Sequence, residues 1–116
     1  MISLGKNAWR RSGVKKMDNS KVIYKYKVEI TDESTIKMPA AAKVISVAEQ
    51  GNEIVLYAMV PFDNDPEITK NISIRVVGTG HKIHFDTSEF KFIGTVSLHF
   101  GKLMFHIFYK DRGYWG

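Results

Sequence analysis

The chain has 116 residues and the composition of an ordinary soluble protein, 44% hydrophobic and 25% charged, which predicts one compact domain. It has no cysteine, which excludes disulfides, thiolate metal sites and a cysteine nucleophile. No apolar run approaches the roughly 20 residues that a membrane-spanning helix needs, so we expect no membrane partner.

The net charge of +5 is concentrated at the amino terminus. Residues 1–20 hold five basic side chains and one acidic one, whereas the rest of the chain is nearly neutral. We therefore predict a basic, disordered or arm-like extension over residues 1–20 and a single β-rich domain over residues 21–116. Trp9 beside Arg10 and Arg11 leaves open that the extension binds nucleic acid, since stacking combined with phosphate contacts is how such arms bind.

From residue 22 onward, apolar residues recur with the two-residue period of half-buried strands. "VIYKYKVEI" and "NISIRVV" both alternate, the second with Ser73 and Arg75 on its outward face. Gly51-Asn52 predicts a tight hairpin, and "EIVLYAMV" after it is apolar on both sides, which is typical of a central strand. A last hairpin is predicted around residues 100–102. With no convincing amphipathic helix, the fold is predicted to be all-β: a single-domain antiparallel β-sandwich or partly open barrel of six to seven strands.

The stretch "VVGTGHKIHF" contains the strongest candidate for a binding site. It lacks the helix and the Gly-Lys-Ser/Thr ending of a phosphate loop, so a turn at the exit of a strand is the simpler interpretation. The composition of the stretch nevertheless suits an anion such as phosphate or carboxylate. The predicted ligand-binding residues are Arg75, Gly78, Thr79, Gly80 and His81.

Other candidate chemistry is weaker. No pair among the four histidines has zinc-signature spacing, and His106, between two apolar residues, is expected to be a satisfied, half-buried histidine. The carboxylates Asp63, Asp65 and Glu67 predict a solvated acidic turn. We predict no metal, no cofactor and no catalytic residue, and hence no enzyme; an enzyme using His81 as a general base is an alternative.

Several motifs in fixed order resemble a known family. The chain carries I-Y-K-Y, I-x-M-P, an S-V-x-x-Q hairpin, G-T-G-H and F-I-G-T-V between about residues 22 and 109, and in this it resembles a family of small uncharacterised bacteriophage proteins. The resemblance implies a phage gene product acting in the cytoplasm of the host bacterium. It supplies no established activity.

These observations predict a non-enzymatic phage accessory protein that binds a host or defence-related protein or a small anionic ligand. We also expect the protein to form a homo-oligomer. One alternative function is an oligomeric sponge that sequesters a nucleotide immune signal between the subunits. In that case Tyr24 and Tyr26, or Tyr114 and Trp115, would stack on the base. The other alternative is a structural component of the virion.

Overall fold

The computed structural model describes residues 19–112, so most of the basic extension and the terminal Tyr114 and Trp115 lie outside the described residues. The strands are β1 (Lys21–Val28), β2 (Glu33–Pro39), β3 (Lys43–Gln50), β4 (Glu53–Pro61), β5 (Thr69–Gly78), β6 (Lys91–Leu98) and β7 (Leu103–Asp111). A single 3₁₀ turn, Thr87–Glu89, precedes β6. The described part of the chain contains no helix long and apolar enough to cross a membrane.

The seven strands form two antiparallel sheets, one in the order β1-β4-β3 and the other in the order β2-β5-β7-β6. This confirms the predicted all-β fold. The sheets do not close into a barrel, so of the two predicted architectures, sandwich and partly open barrel, the structure is the sandwich. β4 is the central strand of its sheet, as predicted. Its inward residues are fully buried, and Val55 on its other face is only 5% exposed.

The core lies between the sheets and consists of aliphatic side chains from all seven strands. Ile72, Ile74 and Val76 of β5 point into it, as their alternation predicts, and are at most 7% exposed. Ser73 lies between them on the outward face but is buried as well, because the guanidinium of Arg112 covers it and donates to its hydroxyl at 3.1 Å.

Two hairpin tips meet at one end of the sandwich. Gly51 and Asn52 both have positive φ, 59° and 63°, as a tight hairpin turn requires, and the β6–β7 turn begins with His99 at φ 54°. The side-chain carbonyl of Asn52 accepts from the His99 amide at 2.8 Å, and its amide group bonds the His99 ring at 3.1 Å. The Asn52 side chain therefore ties the two tips together.

The two sheets pack most closely where β3 faces β6. A Cβ atom added to Gly94 would lie 2.9 Å from a methyl carbon of Val47, closer than side chains pack. Glycine at residue 94 therefore lets β6 approach β3.

The connection between β5 and β6 crosses the outer face of the four-stranded sheet. Both strands are antiparallel to β7, which lies between them, so they run in the same direction and residues 79–90 must return across β7. Phe85 packs on this face, with its ring centroid 4.9 Å from Phe90 and 5.5 Å from Phe108. The crossover therefore covers part of the sheet with aromatic side chains and forms one wall of the pocket described next.

Candidate functional site

The glycine stretch is a strand-exit turn. β5 ends at Gly78, the Gly78 carbonyl accepts from the His81 amide at 3.1 Å, and Gly80 has a φ of 88°. Such a φ suits glycine and strains other residues. No helix follows in residues 79–86, so the convergent helix amides of a phosphate loop are absent from this segment.

A pocket opens beside this turn, between the end of β5 and the start of the crossover. Its cavity volume is about 90 Å³. Its lining side chains include Asp32, Arg75, His81, Lys82, His84 and Phe85, together with backbone at Gly78. Of the five predicted ligand-binding residues, the fold thus brings Arg75, Gly78 and His81 to one pocket.

The His81 ring packs closely against Gly78. A Cβ atom at this position would lie 3.0 Å from Nδ1 of His81 and 3.1 Å from Cε1. The imidazole therefore folds back against the bare α-carbon of Gly78. The exposed His81 ring lies at the wall of the pocket.

Arg75 has structural partners of its own. Its Nη2 lies 3.3 Å from a carboxylate oxygen of Glu33 on the neighbouring strand. The guanidinium carbon lies 5.1 Å from the centroid of Phe85 and 5.7 Å from that of Phe90, within the range of cation–π attraction. Its Nε is buried and has no hydrogen-bond partner among the described residues. Arg75 anchors the crossover, and Glu33 offsets part of its charge at the pocket.

The structure places Thr79 and Gly80 away from the pocket. The Thr79 hydroxyl is hydrogen-bonded to Nε2 of His106 at 2.7 Å, and the Thr79 amide donates to the Met104 carbonyl. Nδ1 of His106 is hydrogen-bonded to the Thr95 hydroxyl at 3.0 Å, so His106 is the half-buried, satisfied histidine that its apolar neighbours predict. Thr79 therefore fastens the turn to β7, and Gly80 is exposed.

The electrostatics of the pocket favour an anion. Lys82, His81 and His84 supply exposed basic groups, and Asp32 is the one carboxylate among the described lining residues. Asp86, just beyond the pocket, accepts from the hydroxyl and the amide of Ser88 at 2.6 and 3.0 Å. These bonds, the hydroxyl's first, lower the pKa of Asp86 below its ordinary value, so this carboxylate caps its own turn.

Comparison with known families gives a match. Residues 19–114 match the family described as a domain of unknown function, DUF7352. The chain belongs to this family. No curated protein and no solved structure matches the chain. The DUF7352 match spans all seven strands and every residue that lines the pocket, so the pocket is built within the family's domain.

Metal binding has no support in the described part of this DUF7352 domain. No three histidine, aspartate or glutamate side chains between residues 19 and 112 are grouped as metal ligands. In the acidic loop, a carboxylate oxygen of Asp65 accepts from the Glu67 amide at 2.9 Å, as in an ordinary turn.

The predicted ligand-binding residues omit four side chains that line the pocket: Asp32, Lys82, His84 and Phe85. Lys82 and His84 closely follow the glycine turn, so their basic side chains are visible in the sequence itself. Phe85 reaches the pocket because the crossover folds back over the sheet, which no local pattern predicts. Asp32 lies more than forty residues away in the β1–β2 connection, and only the topology brings it there.

Proposed function

We propose that this protein is a non-enzymatic binding module whose pocket at the end of β5 takes a small anion, a carboxylate or a phosphate. The observation that carries the proposal is the pairing of His81 and Lys82 on one wall, where the His81 ring packs on the bare α-carbon of Gly78. A compact anion there meets donors from two side chains. The guanidinium of Arg75 adds a longer-range positive potential at the pocket.

Binding fits the pocket better than acid–base catalysis does. A general base must be free to take a proton and must be oriented by a third group. Among the described residues, no carboxylate is hydrogen-bonded to His81 or His84. His106 has both ring nitrogens bound by threonines, and Asp86 is held by Ser88.

The biological setting of the proposal comes from the motif order alone. It is that of a bacteriophage accessory protein acting in the host cytoplasm, with a host or defence-related partner or the anion itself as its target. The nucleotide-sponge form of this proposal needs an aromatic ring that can stack on a base beside the phosphate site. Tyr24 and Tyr26 do not line the pocket, and Phe85, which does, is packed against Phe90 and Phe108. This favours a small anion over a nucleotide whose base stacks on those tyrosine rings.

Thermal unfolding with added ligands tests the proposal. We expect phosphate, acetate or a nucleoside monophosphate to raise the melting temperature, since a ligand at 100 times its Kd adds about 2.7 kcal/mol. The same ligand should shift the backbone NMR signals of residues 78–84. Lys82→Ala should weaken binding, whereas Lys43→Ala, an exposed lysine on β3 far from the pocket, should not. If none of these anions raises the melting temperature or moves the signals of residues 78–84, the proposed function is wrong.

A further inference from the structure

The two sides of the sandwich differ in how their strand edges are protected. On one side, the pairing of β3 with β4 shifts between Val44 and Ser46, and that of β6 with β7 shifts between Phe92 and Gly94. Such bulges discourage another strand from adding to an edge. On the other side, β1 pairs with β4 in unbroken register over eight residues, and it contains no proline.

The outer edge of β1 has backbone groups oriented for pairing. The Ser20 carbonyl accepts from the Phe62 amide at 2.9 Å, so the groups of Ser20 and of every second residue after it point toward β4. The amides and carbonyls of Ile23, Lys25 and Lys27 therefore point away from the sheet. They offer an added strand a row of donors and acceptors.

An apolar slot lies beside this edge, where the sheets separate between β1 and β2. It is lined by Tyr24, Met38, Pro39 and Pro66, among others, and its cavity volume is about 440 Å³. Tyr24 is on the inward face of β1 yet remains 48% exposed, because no further strand covers it in the described chain. An inward side chain of an added strand would pack against this ring.

The outward face of β1 is basic. Lys21, Lys25 and Lys27 are exposed on it. Lys27 lies 3.5 Å from Glu53, and no carboxylate of residues 19–112 lies within salt-bridge distance of Lys21 or Lys25. Pairing of two β1 strands centred on Lys25 would place the lysines of both copies on one face, which is unfavourable. The charge therefore favours an acidic partner over a second copy of this chain.

We propose that the β1 edge binds an extended acidic segment of a partner protein by strand addition. In this mode, main-chain hydrogen bonds give affinity and pockets for alternate side chains give specificity. Apolar side chains of the segment enter the slot beside Tyr24, and acidic ones face Lys21 and Lys25. The slot adjoins Thr69 at the start of β5, whereas the anion pocket lies at its end, so the two sites are separate.

A synthetic peptide of alternating valine and glutamate tests the proposal on the full chain, with the lysine version of the peptide as its control. We expect the glutamate peptide to bind in fluorescence anisotropy, to shift the amide signals of Ile23, Lys25 and Lys27, and to protect them from hydrogen exchange. Lys25→Glu should weaken binding roughly tenfold, since it converts an attractive cross-strand charge pair into a repulsive one. Lys43→Glu reverses an exposed lysine on the bulged edge strand of the same sheet and should leave the affinity unchanged.

Four results would overturn the proposal. One is the absence of binding by the glutamate peptide at millimolar concentration. The second is equal binding of the glutamate and lysine peptides, and the third is signal shifts that lie away from β1. The fourth is a dimer in analytical ultracentrifugation that Lys25→Glu dissociates, which would mean that a second copy occupies the edge. Folding of each variant is checked by its NMR spectrum before binding is measured.

Discussion

The contact between Gly94 and Val47 gives a quantitative test of how the sheets pack. Gly94→Ala places a Cβ atom 2.9 Å from a Val47 methyl carbon, and overpacking of a well-packed site costs about 1–3 kcal/mol. Alanine also lowers the conformational entropy of the unfolded chain, which stabilises the folded protein by about 0.4–1 kcal/mol. We therefore expect a net loss of about 1–2 kcal/mol in the free energy of unfolding, or a fall of several degrees in Tm.

Val47→Ala removes the methyl group that clashes, so it should rescue Gly94→Ala. Alone, Val47→Ala should cost about 1 kcal/mol, because the valine is only half-buried. If the clash is the cause, the double variant should lose less than the two single variants together, by about 1 kcal/mol or more. Urea denaturation of the four proteins gives this coupling energy.

Gly78→Ala is the matched control. Its Cβ atom would also make a tight contact, 3.0 Å from the His81 ring, but that ring is exposed and is free to move. We expect little loss of stability from Gly78→Ala. Additive losses from Gly94→Ala and Val47→Ala, or a Gly94→Ala protein as stable as the parent, would refute the argument that this glycine sets the distance between β3 and β6.

Three further predictions concern polar contacts. Asn52→Gly keeps the positive φ of the turn without strain and removes the side chain that ties the hairpin tips, so urea denaturation should show a loss of about 1 kcal/mol; an unchanged midpoint would mean that the tie contributes nothing. Asp111→Ala leaves the ammonium of Lys70, whose side chain is 9% exposed, without the carboxylate 2.6 Å away. Because Asp111 itself is half-exposed, we expect a loss of about 1–2 kcal/mol, below the 3–5 of a fully buried pair. Ser88→Ala should raise the pKa of Asp86 toward its ordinary value of 3.8, measured by NMR titration of the carboxyl carbon. Because the pKa of Asp86 is lowered in the folded protein, its contribution to stability is present above pH 3.8 and is lost as the pH falls through that lowered pKa. The loss of stability at acid pH should therefore be smaller in Ser88→Ala.

Local patterns were sufficient for most of the fold. Alternation alone identified the inward residues Ile72, Ile74 and Val76, and Gly51-Asn52 marked a turn that needs two positive φ values. These signals are local because a strand's two faces repeat every second residue. Such local patterns could not predict the burial of Ser73, because Arg112, whose guanidinium covers it, lies 39 residues further along the chain.

The candidate site depended on information that no short segment carries. The sequence marked Arg75, Gly78 and His81 because glycine and basic residues adjoin one another there. It did not indicate that β5 and β6 are parallel, and so it did not indicate that Phe85 returns over Arg75. Composition predicts Thr79 as a ligand-binding residue, and no local pattern shows that its hydroxyl is hydrogen-bonded to His106 on β7.

The position of β7 between β5 and β6 also constrains the order of assembly. β6 finds no lateral neighbour in its own sheet until β7 has formed, because β7 separates it from β5. Each sheet contains one local hairpin, β3–β4 or β6–β7, and the hairpin must then pair with a strand that is distant in the sequence, β1 or β5. Sheet closure therefore waits on distant segments, which slows folding. In pulse-labelling during refolding, we expect the amides that join β6 to β7 to gain protection before those that join β7 to β5.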